Sequence, residues 1–259
     1  MEGVGGSIPP ISTPGRDTGI APGTPQRAPG AFASGRTRPV RYPRSPVSSP
    51  PPTPETPIAV VDYRAGNAPS VGFALERLGI PARLTDDPAV VAAATRLILP
   101  GVGAARATID SLRESGLLEP LTERVQAGVP FLGICIGLQV LFDHSEEGDT
   151  EGLGWVPGMV RRFADDRRVP QIGWNEVRVV RDHPVTRALP TGAHCYFVNS
   201  YYATPSDPAD VLGVTEYGPE FCSIVGHRNI VATQFHAEKS GPVGLALLES
   251  FAAWDGVEC

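Results

Sequence analysis

From Ile58 onward, short apolar runs alternate with segments of helical periodicity. The run IAVVDY is followed by a glycine-containing turn and by SVGFALERLGI, whose apolar residues keep the spacing of one helix face. Asn67 can cap this helix, and Pro69 is tolerated near its start. The same order then returns with ARLT, a short helix over residues 88–94, RLILP and the turn PGVG. Alternation of this kind predicts a parallel sheet covered by helices.

The next segments extend this pattern and then change it. Residues 105–128 have helical spacing with a break near Gly116, and PFLGI is a buried strand that runs into the helical segment CIGLQVLF. Beyond about residue 150 come six short strand candidates: MVRRF, NEVRVV, YFVNSYYA, DVLGVTEY, CSIVGH and NIVATQF. The segment GLALLESFAAW then forms a last helix. We therefore predict an α/β domain over residues 58–254, with a mostly parallel central sheet flanked by helices and extra antiparallel strands in its C-terminal half. Residues 255–259 form a short tail.

Residues 1–57 have a different composition. They hold 14 of the 28 prolines and six arginines, but few large apolar side chains. Such a segment buries too little surface to offset the entropy of ordering, which predicts a disordered tail. A targeting peptide is the alternative, although the tail has neither an apolar core for secretion nor an amphipathic helix pattern.

Charge and cysteine content restrict the classes of partner and site. The net charge of −6 argues against nucleic acid and anionic membranes as partners. No apolar stretch reads as a membrane span. The four cysteines form no C-x-x-C pair, and the five histidines show no ligand spacing, so we expect a reduced, cytoplasmic protein without a metal or a cofactor.

The segment from Gly133 to Gly137 has the pattern of a nucleophile elbow, with Cys135 at its centre. In such an elbow, small residues let a strand turn sharply into a helix and raise the nucleophile into a cleft. The exposed N–H groups of a helix start would favour the thiolate. The alternative is that Cys135 is a small core residue among apolar neighbours.

Two further segments complete a candidate site. His236 and Glu238 follow the strand-like NIVAT, and two residues apart on an extended chain would face the same way. Glu238 could then orient the His236 ring, which would serve Cys135 as base and acid, although a structural histidine is the alternative. The turn Pro100–Gly103 ends a parallel strand and could supply an oxyanion donor together with the Ile136 amide.

These segments resemble the class I (triad-type) glutamine amidotransferases, whose signature is GICIGLQ with HAEKS. Within them, DYRAGN, PGVG, PQIGWNEV and YFVNSYYA resemble the glutaminase subunits of imidazole glycerol phosphate synthase, over about residues 58–254. The resemblance implies a flavodoxin-like fold and a Cys135, His236, Glu238 triad that hydrolyses L-glutamine. It also implies oxyanion contacts from the Val102 and Ile136 amides and glutamine-binding residues, which are Gly103, Gln139, Ser200 and Tyr201.

By the same resemblance, the partner is a cyclase subunit that forms a heterodimer, receives ammonia and makes imidazole glycerol phosphate and an aminoimidazole carboxamide ribotide. The valine amide of PGVG would turn into place only when the loaded partner is present, so the isolated subunit would be a poor glutaminase. The residues implied at the interface are Lys239, which is the only lysine of the chain, Trp174, Asn67 and Tyr196.

The chain departs from the family pattern at two positions. Ala237 stands where proline is usual, and Asn199 stands where histidine is common. We expect a small effect at Ala237 and an altered glutamine contact or partner coupling at Asn199. The alternatives are a glutaminase of pyridoxal phosphate or anthranilate synthesis, or a non-catalytic binding subunit. The two histidine-branch motifs PQIGWNEV and YFVNSYYA speak against the first, and the complete triad speaks against the second.

Overall fold

The computed structural model describes residues 57–64 and 67–257. The predicted tail, apart from Pro57, lies outside the described residues, so its disorder and the domain boundaries stay predictions. Within the described part of the chain, no helix is long and apolar enough to cross a membrane.

Five parallel strands form the centre of the sheet, in the order β2-β1-β3-β4-β13. They are β1 (Ile58–Val61), β2 (Ala82–Thr85), β3 (Leu97–Gly101), β4 (Phe131–Cys135) and β13 (Ile230–Thr233). All of them except the edge strand β2 are buried along their whole length. This order is the flavodoxin-like one, in which ligands bind beyond the carboxyl ends of the strands. The prediction of a parallel sheet is confirmed.

Over residues 57–64 and 67–257, six α-helices accompany the sheet: α1 (Ala68–Arg77), α2 (Pro88–Ala92), α3 (Ala105–Glu114), α4 (Leu118–Gln126), α5 (Ile136–Gln139) and α6 (Gly241–Ala253). Successive side chains of β1 enter two different apolar cores, as the period of a strand requires. Ile58 and Val60 pack with α1 and α6, whereas Ala59 and Val61 pack with α2, α3 and α4. Helices therefore cover both faces of the parallel strands.

Antiparallel strands extend the sheet beyond β13, as predicted for the C-terminal half. They are β7 (Gly158–Arg162), β8 (Gln171–Val179), β9 (Ala193–Asn199), β10 (Tyr201–Pro205), β11 (Val211–Glu216) and β12 (Glu220–His227). β12 pairs with β13, and β8 pairs with β9 in a long hairpin. Two 3₁₀ helices lie at Pro208–Asp210 and Ala237–Lys239.

Three details differ from the sequence prediction. YFVNSYYA is not one strand: the chain bends at Ser200, because β9 pairs with β8 whereas β10 pairs with β7 and β12. The helix after Cys135 ends at Gln139, because the carbonyls of residues 140–142 accept hydrogen bonds from residues 153–156 instead of continuing the helix. The short strands β5 (His144–Ser145) and β6 (Thr150–Glu151) had not been predicted.

Candidate active site

The change from strand to helix falls at Cys135, between β4 and α5. Its backbone has φ 58° and ψ −104°, in a region that residues with a side chain rarely adopt. The neighbouring glycines are required by close approach. A Cβ on Gly137 would lie 2.0 Å from the Leu99 carbonyl oxygen, and one on Gly133 would lie 2.4 Å from the Gly137 carbonyl oxygen. The elbow is therefore strained at the thiol and tightly packed on both sides.

His236 lies three residues beyond the end of β13 and is buried, with Nδ1 2.9 Å from Glu238 Oε1. The predicted contact between the two side chains is present, but the geometry that predicted it is wrong. Glu238 belongs to the 3₁₀ helix Ala237–Lys239 and not to an extended chain. One tight turn brings the carboxylate back to the ring, and its side chain is wholly shielded from solvent.

The electrostatics of this pair favour an imidazolium beside a carboxylate. Burial alone would lower the pKa of His236, but hydrogen bonds and charge from Cys135 and Glu238 outweigh it and raise the pKa from 6.5 to about 9. Burial would likewise raise the pKa of Glu238, yet the hydrogen bonds from His236 and Asn67 lower it below its ordinary value. Since Nδ1 is bonded to Glu238, Nε2 is the ring nitrogen left for the Cys135 thiol, with which the ring interacts electrostatically.

Cys135 differs from the other described cysteines in its surroundings. Its Sγ lies 3.9 Å from the Val198 carbonyl oxygen and 3.8 Å from Gln234 Nε2, and it lines a cavity. Burial raises the pKa of Cys195 and of Cys222 to about 12, so neither thiol ionises near neutral pH. The thiol at the elbow is the candidate nucleophile.

Three hydrogen bonds fix the main chain of His236 to β9. The His236 N–H donates to the Tyr196 carbonyl at 3.0 Å, and the Tyr196 N–H donates to Ser240 Oγ at 3.0 Å. The Ser240 hydroxyl donates in turn to the His236 carbonyl at 2.7 Å. The position of the imidazole therefore depends on β9 as well as on β13.

A cavity of about 310 Å³ opens at the carboxyl ends of β3, β4 and β13. Nine of the predicted site residues line it: Val102, Gly103, Cys135, Ile136, Gln139, Ser200, Tyr201, His236 and Lys239. Three further lining residues were not predicted for the site, Glu147, Pro170 and Val198, and the fourth is Asn199, where the sequence departs from the family pattern. Glu147 brings a carboxylate, whose Oε2 accepts the Ala105 N–H at 2.7 Å. No local pattern singles out Glu147, because only the turn between β5 and β6 carries it here.

Four predicted residues lie outside the cavity lining. Glu238 lies behind the His236 ring, and Trp174 and Tyr196 are cross-strand neighbours on the hairpin of β8 and β9. Trp174 is 58% exposed and Tyr196 is half-buried. Asn67 is buried, and the prediction that its side chain caps α1 is wrong, because it makes no capping hydrogen bond. Its amide instead contacts Glu238 Oε1 at 2.5 Å.

At one position where the sequence departs from the family pattern, an atom is left unpaired. Asn199 is buried and donates from Nδ2 to the Tyr201 carbonyl at 2.9 Å, while its Oδ1 has no hydrogen-bond partner among the described residues. The other such position, Ala237, is the first residue of the 3₁₀ helix.

The fold and the cleft are those of a class I glutamine amidotransferase, and the family model described as "Glutamine amidotransferase class-I" matches residues 70–253. Among solved structures, a glutamine amidotransferase is 23% identical with a TM-score of 0.61, covering 75% of this chain and 98% of its own. The structure of PurLQS from Thermotoga maritima has a TM-score of 0.57 at 18% identity, covering 75% of this chain and 97% of its own. These likenesses support the fold.

Sequence relatives define the branch of the family. The chain is 47% identical to the imidazole glycerol phosphate synthase subunit HisH of Syntrophotalea carbinolica over 202 residues, which cover 75% of this chain and 98% of that protein. It is also 47% identical to the protein of the same name from Dehalococcoides mccartyi strain CBDB1, covering 75% and 95% of the two chains. The chain therefore belongs to the class I glutamine amidotransferases, in the family of HisH subunits.

Proposed function

We propose that this chain hydrolyses L-glutamine through Cys135, His236 and Glu238 and delivers the ammonia to a cyclase subunit of imidazole glycerol phosphate synthase. One observation carries the proposal. A single imidazole is bonded to a buried carboxylate through Nδ1 and interacts electrostatically with a thiol that lines the same cavity. The identity of 47% to HisH subunits supports the substrate and the partner.

The chemistry follows from the positions of these groups. The Cys135 thiolate attacks the carboxamide carbon of glutamine, and the carbonyl oxygen takes up the negative charge of a tetrahedral intermediate. The C–N bond then breaks as the His236 imidazolium donates a proton to the departing ammonia, leaving a glutamyl thioester. The neutral ring next accepts a proton from water, which attacks the thioester and releases glutamate and the thiol. Glu238 keeps the ring in one tautomer throughout.

The oxyanion falls between the end of β3 and the start of α5. Val102 and Gly103 line one side of the cavity and Ile136 lines the other. The φ of Gly103 is 106°, which glycine adopts without strain, so this turn can present its amides to a ligand. We assign the Val102 and Ile136 N–H groups as donors to the oxyanion.

The substrate's amino-acid end is held by groups of opposite polarity. Gln139 Nε2 already donates to the Tyr201 carbonyl at 3.2 Å and to Gln234 Oε1 at 3.0 Å. Its carbonyl oxygen is the atom left for a ligand, and it suits an ammonium group. The carboxylate of Glu147 lines the same cavity and supplies the matching charge. Ser200 and Tyr201, at the bend after β9, hold the rest of glutamine.

The cyclase docks on the face beside the cavity. Ile172, Trp174, Tyr196 and Val198 share one side of the hairpin of β8 and β9, where Ile172 pairs with Val198 and Trp174 pairs with Tyr196. Ile172 is 55% exposed, and Val198 also lines the cavity. The exposed Lys239 stands on the cavity wall. An apolar surface continuous with the cavity lets ammonia pass to a partner without meeting bulk water, where it would be protonated.

The test is glutamate release from L-glutamine by the full chain, first alone and then with a cyclase subunit that is supplied with its nucleotide ligand. Cys135→Ala is the blank. We expect low activity alone, strong stimulation by the loaded partner and none in the blank.

The other outcomes separate the remaining hypotheses. High activity that ignores the cyclase would keep the triad and move the chain to another amidotransferase branch, such as that of pyridoxal phosphate or anthranilate synthesis. Silence in every condition would support a non-catalytic binding subunit.

A further inference from the structure

Besides Cys135, a further side chain contacts the pair formed by His236 and Glu238. Asn67 stands at the N-terminal end of α1, far from both residues in sequence, and is only 3% exposed. Its Nδ2 lies 2.5 Å from Glu238 Oε1 and 3.4 Å from His236 Nδ1. The amide therefore donates to the same carboxylate oxygen that the His236 ring contacts.

The carboxylate of Glu238 has few other contacts. Its second oxygen, Oε2, is buried and has no hydrogen-bond partner in the described part of the chain. Two side-chain donors, the His236 ring and the Asn67 amide, thus stabilise the buried negative charge of Glu238 through hydrogen bonds to Oε1. A buried carboxylate that loses one of its donors becomes harder to ionise and freer to rotate.

The fold of α1 does not explain the asparagine. Asparagine before a helix usually accepts an N–H of the first turn with its side chain, but Asn67 makes no such bond and turns its amide toward Glu238. The helix begins without it, with a proline in its first turn. The side chain is therefore free to serve the site.

We propose that Asn67 is a positioning residue of the glutaminase site, which holds Glu238 ionised and in the plane of the His236 ring. It touches neither glutamine nor the reacting atoms. The inference rests on the proposed function, because it assigns Asn67 a task within the same triad. It predicts that the loss of the amide lowers the turnover of bound glutamine and leaves the binding of glutamine nearly unchanged.

The charged groups around the ring set the expected pH dependence. Cys135 and Glu238 face the His236 ring, and Glu147 and Lys239 line the same cavity. Tyr63 interacts electrostatically with Cys135, and burial raises its pKa to about 12, so it stays neutral. The Asn67 hydrogen bond helps to lower the pKa of Glu238. Without it that pKa rises, and activity is then lost at a higher pH as the solution is acidified.

The main variant is Asn67→Ala in the full chain, assayed for glutaminase kcat and KM across pH, alone and with the loaded cyclase. Since a hydrogen bond to a charged group is worth a factor of about 10 to 100, we expect kcat to fall by that factor and KM to stay within about twofold. The acid limb should move to higher pH, so the variant's activity relative to wild type worsens as pH falls.

Asn67→Asp gives the opposite trend and makes the test specific. It keeps the shape of the side chain but points a carboxylate at Glu238, so near neutral pH we expect it to be worse than Asn67→Ala. On acidification the two carboxylates share a proton, which restores a donor to Glu238. The activity of Asn67→Asp relative to wild type should therefore improve as pH falls.

Asn229→Ala is the matched control. Asn229 is a buried asparagine whose Nδ2 donates to the Val125 and Val129 carbonyls at 3.0 and 2.6 Å. Its loss should lower the melting temperature and leave the pH profile in place. If Asn67→Ala gives the same result as Asn229→Ala, or raises KM with kcat unchanged, the inference is wrong.

Alkylation of Cys135 by iodoacetamide across pH gives a readout that needs no glutamine. Cys135→Ala reports the labelling of the other thiols. If the pH profile of Cys135 alkylation shifts in Asn67→Ala, the inference is supported even when the wild-type chain releases no glutamate. The absence of glutamate release would in that case refute only the proposed function. If wild type is an active glutaminase and the alkylation profile of Asn67→Ala is not shifted, only the inference is refuted.

Discussion

Gly137→Ala tests whether the elbow leaves room for any side chain. Gly137 is the second residue of α5, and an added Cβ would lie 2.0 Å from the Leu99 carbonyl oxygen of β3. Real Cβ atoms essentially never come closer than 3.0 Å. The contact is with the backbone of a central strand, so no side-chain rotation relieves it. The helix start must retreat by roughly 1 Å, and it carries the Cys135 thiol with it.

The expected cost follows from that displacement. Alanine in a helix interior stabilises the protein by about 1 kcal/mol relative to glycine. Overpacking of the core destabilises it by about 1–3 kcal/mol, and by more when backbone must move. At the upper end of that range the net loss is about 2 kcal/mol, which lowers the melting temperature by roughly 4–8 °C for a chain of this size. Because a misplacement of about 1 Å can cost 100-fold in rate, glutaminase activity should fall by about that factor.

Gly72→Ala is the control for this substitution. Gly72 lies within α1, and its added Cβ would meet Leu84 Cδ1 at 2.6 Å, a flexible side-chain atom of a residue that is 39% exposed. That side chain can rotate away, so Gly72→Ala should be neutral or stabilise the protein by up to about 1 kcal/mol. Thermal unfolding and partner-stimulated glutamate release measure both variants. A Gly137→Ala protein with the wild-type melting temperature and rate would refute this account of the elbow.

Four other substitutions test the charge of Glu238, the protonation of His236, the docking face and the 3₁₀ helix after His236. Glu238→Gln removes a charge that raises the pKa of His236, so the basic limb of the glutaminase profile should move down from about 9 toward 6.5. The stability that the folded protein gains from the His236 imidazolium is complete below pH 6.5 and is lost as pH rises through about 9. Over this pH range the unfolding free energy of wild type should therefore decline by at most about 3 kcal/mol. Guanidinium titrations of His236→Gln should show a flatter pH dependence. Trp174→Ala, at a 58% exposed position, should change stability by less than about 0.5 kcal/mol and weaken cyclase binding by about 2 kcal/mol in calorimetry. Ala237→Pro should raise stability by about 0.4–1 kcal/mol in thermal unfolding, because a first helical position needs no N–H and His236 before it is extended.

The sequence was sufficient to predict the parallel part of the fold, because its strands are short and bounded by turns, and all except the edge strand β2 are mostly apolar. The strands within IAVVDY and RLILP are buried on both faces, and such runs have few alternatives in a chain where strands alternate with helices. The elbow was also predictable, since glycines two residues before and after Cys135 are a local signal of close backbone packing.

The other features depend on contacts between distant segments, which no local pattern reports. The end of α5 at Gln139 depends on donors from residues 153–156, and the bend at Ser200 depends on a change of partner strand. Asn67 shows the limit best. Its local context indicates a helix cap, but a carboxylate 171 residues away offers its amide a partner in a buried site. A cap would use Asn67 Oδ1 as an acceptor, whereas the contact with Glu238 uses Nδ2 as a donor to a charged group, which makes one of the stronger kinds of hydrogen bond.

The backbone strain at Cys135 and the hydrogen bonds that fix the main chain of His236 both serve to hold the thiol and the imidazole in place. A left-handed φ at a residue with a side chain costs of order 1–3 kcal/mol and persists only where the surroundings over-determine it. Here β3, β4 and β13 fix the backbone on the thiol side, with glycines where the chains meet. The imidazole arrives from the end of β13, and its main chain is bonded to Tyr196 of β9 and to Ser240. Since Tyr196 also lies on the face beside Trp174, any displacement of β9 moves the peptide that holds His236, whereas the thiol stays fixed by the parallel sheet.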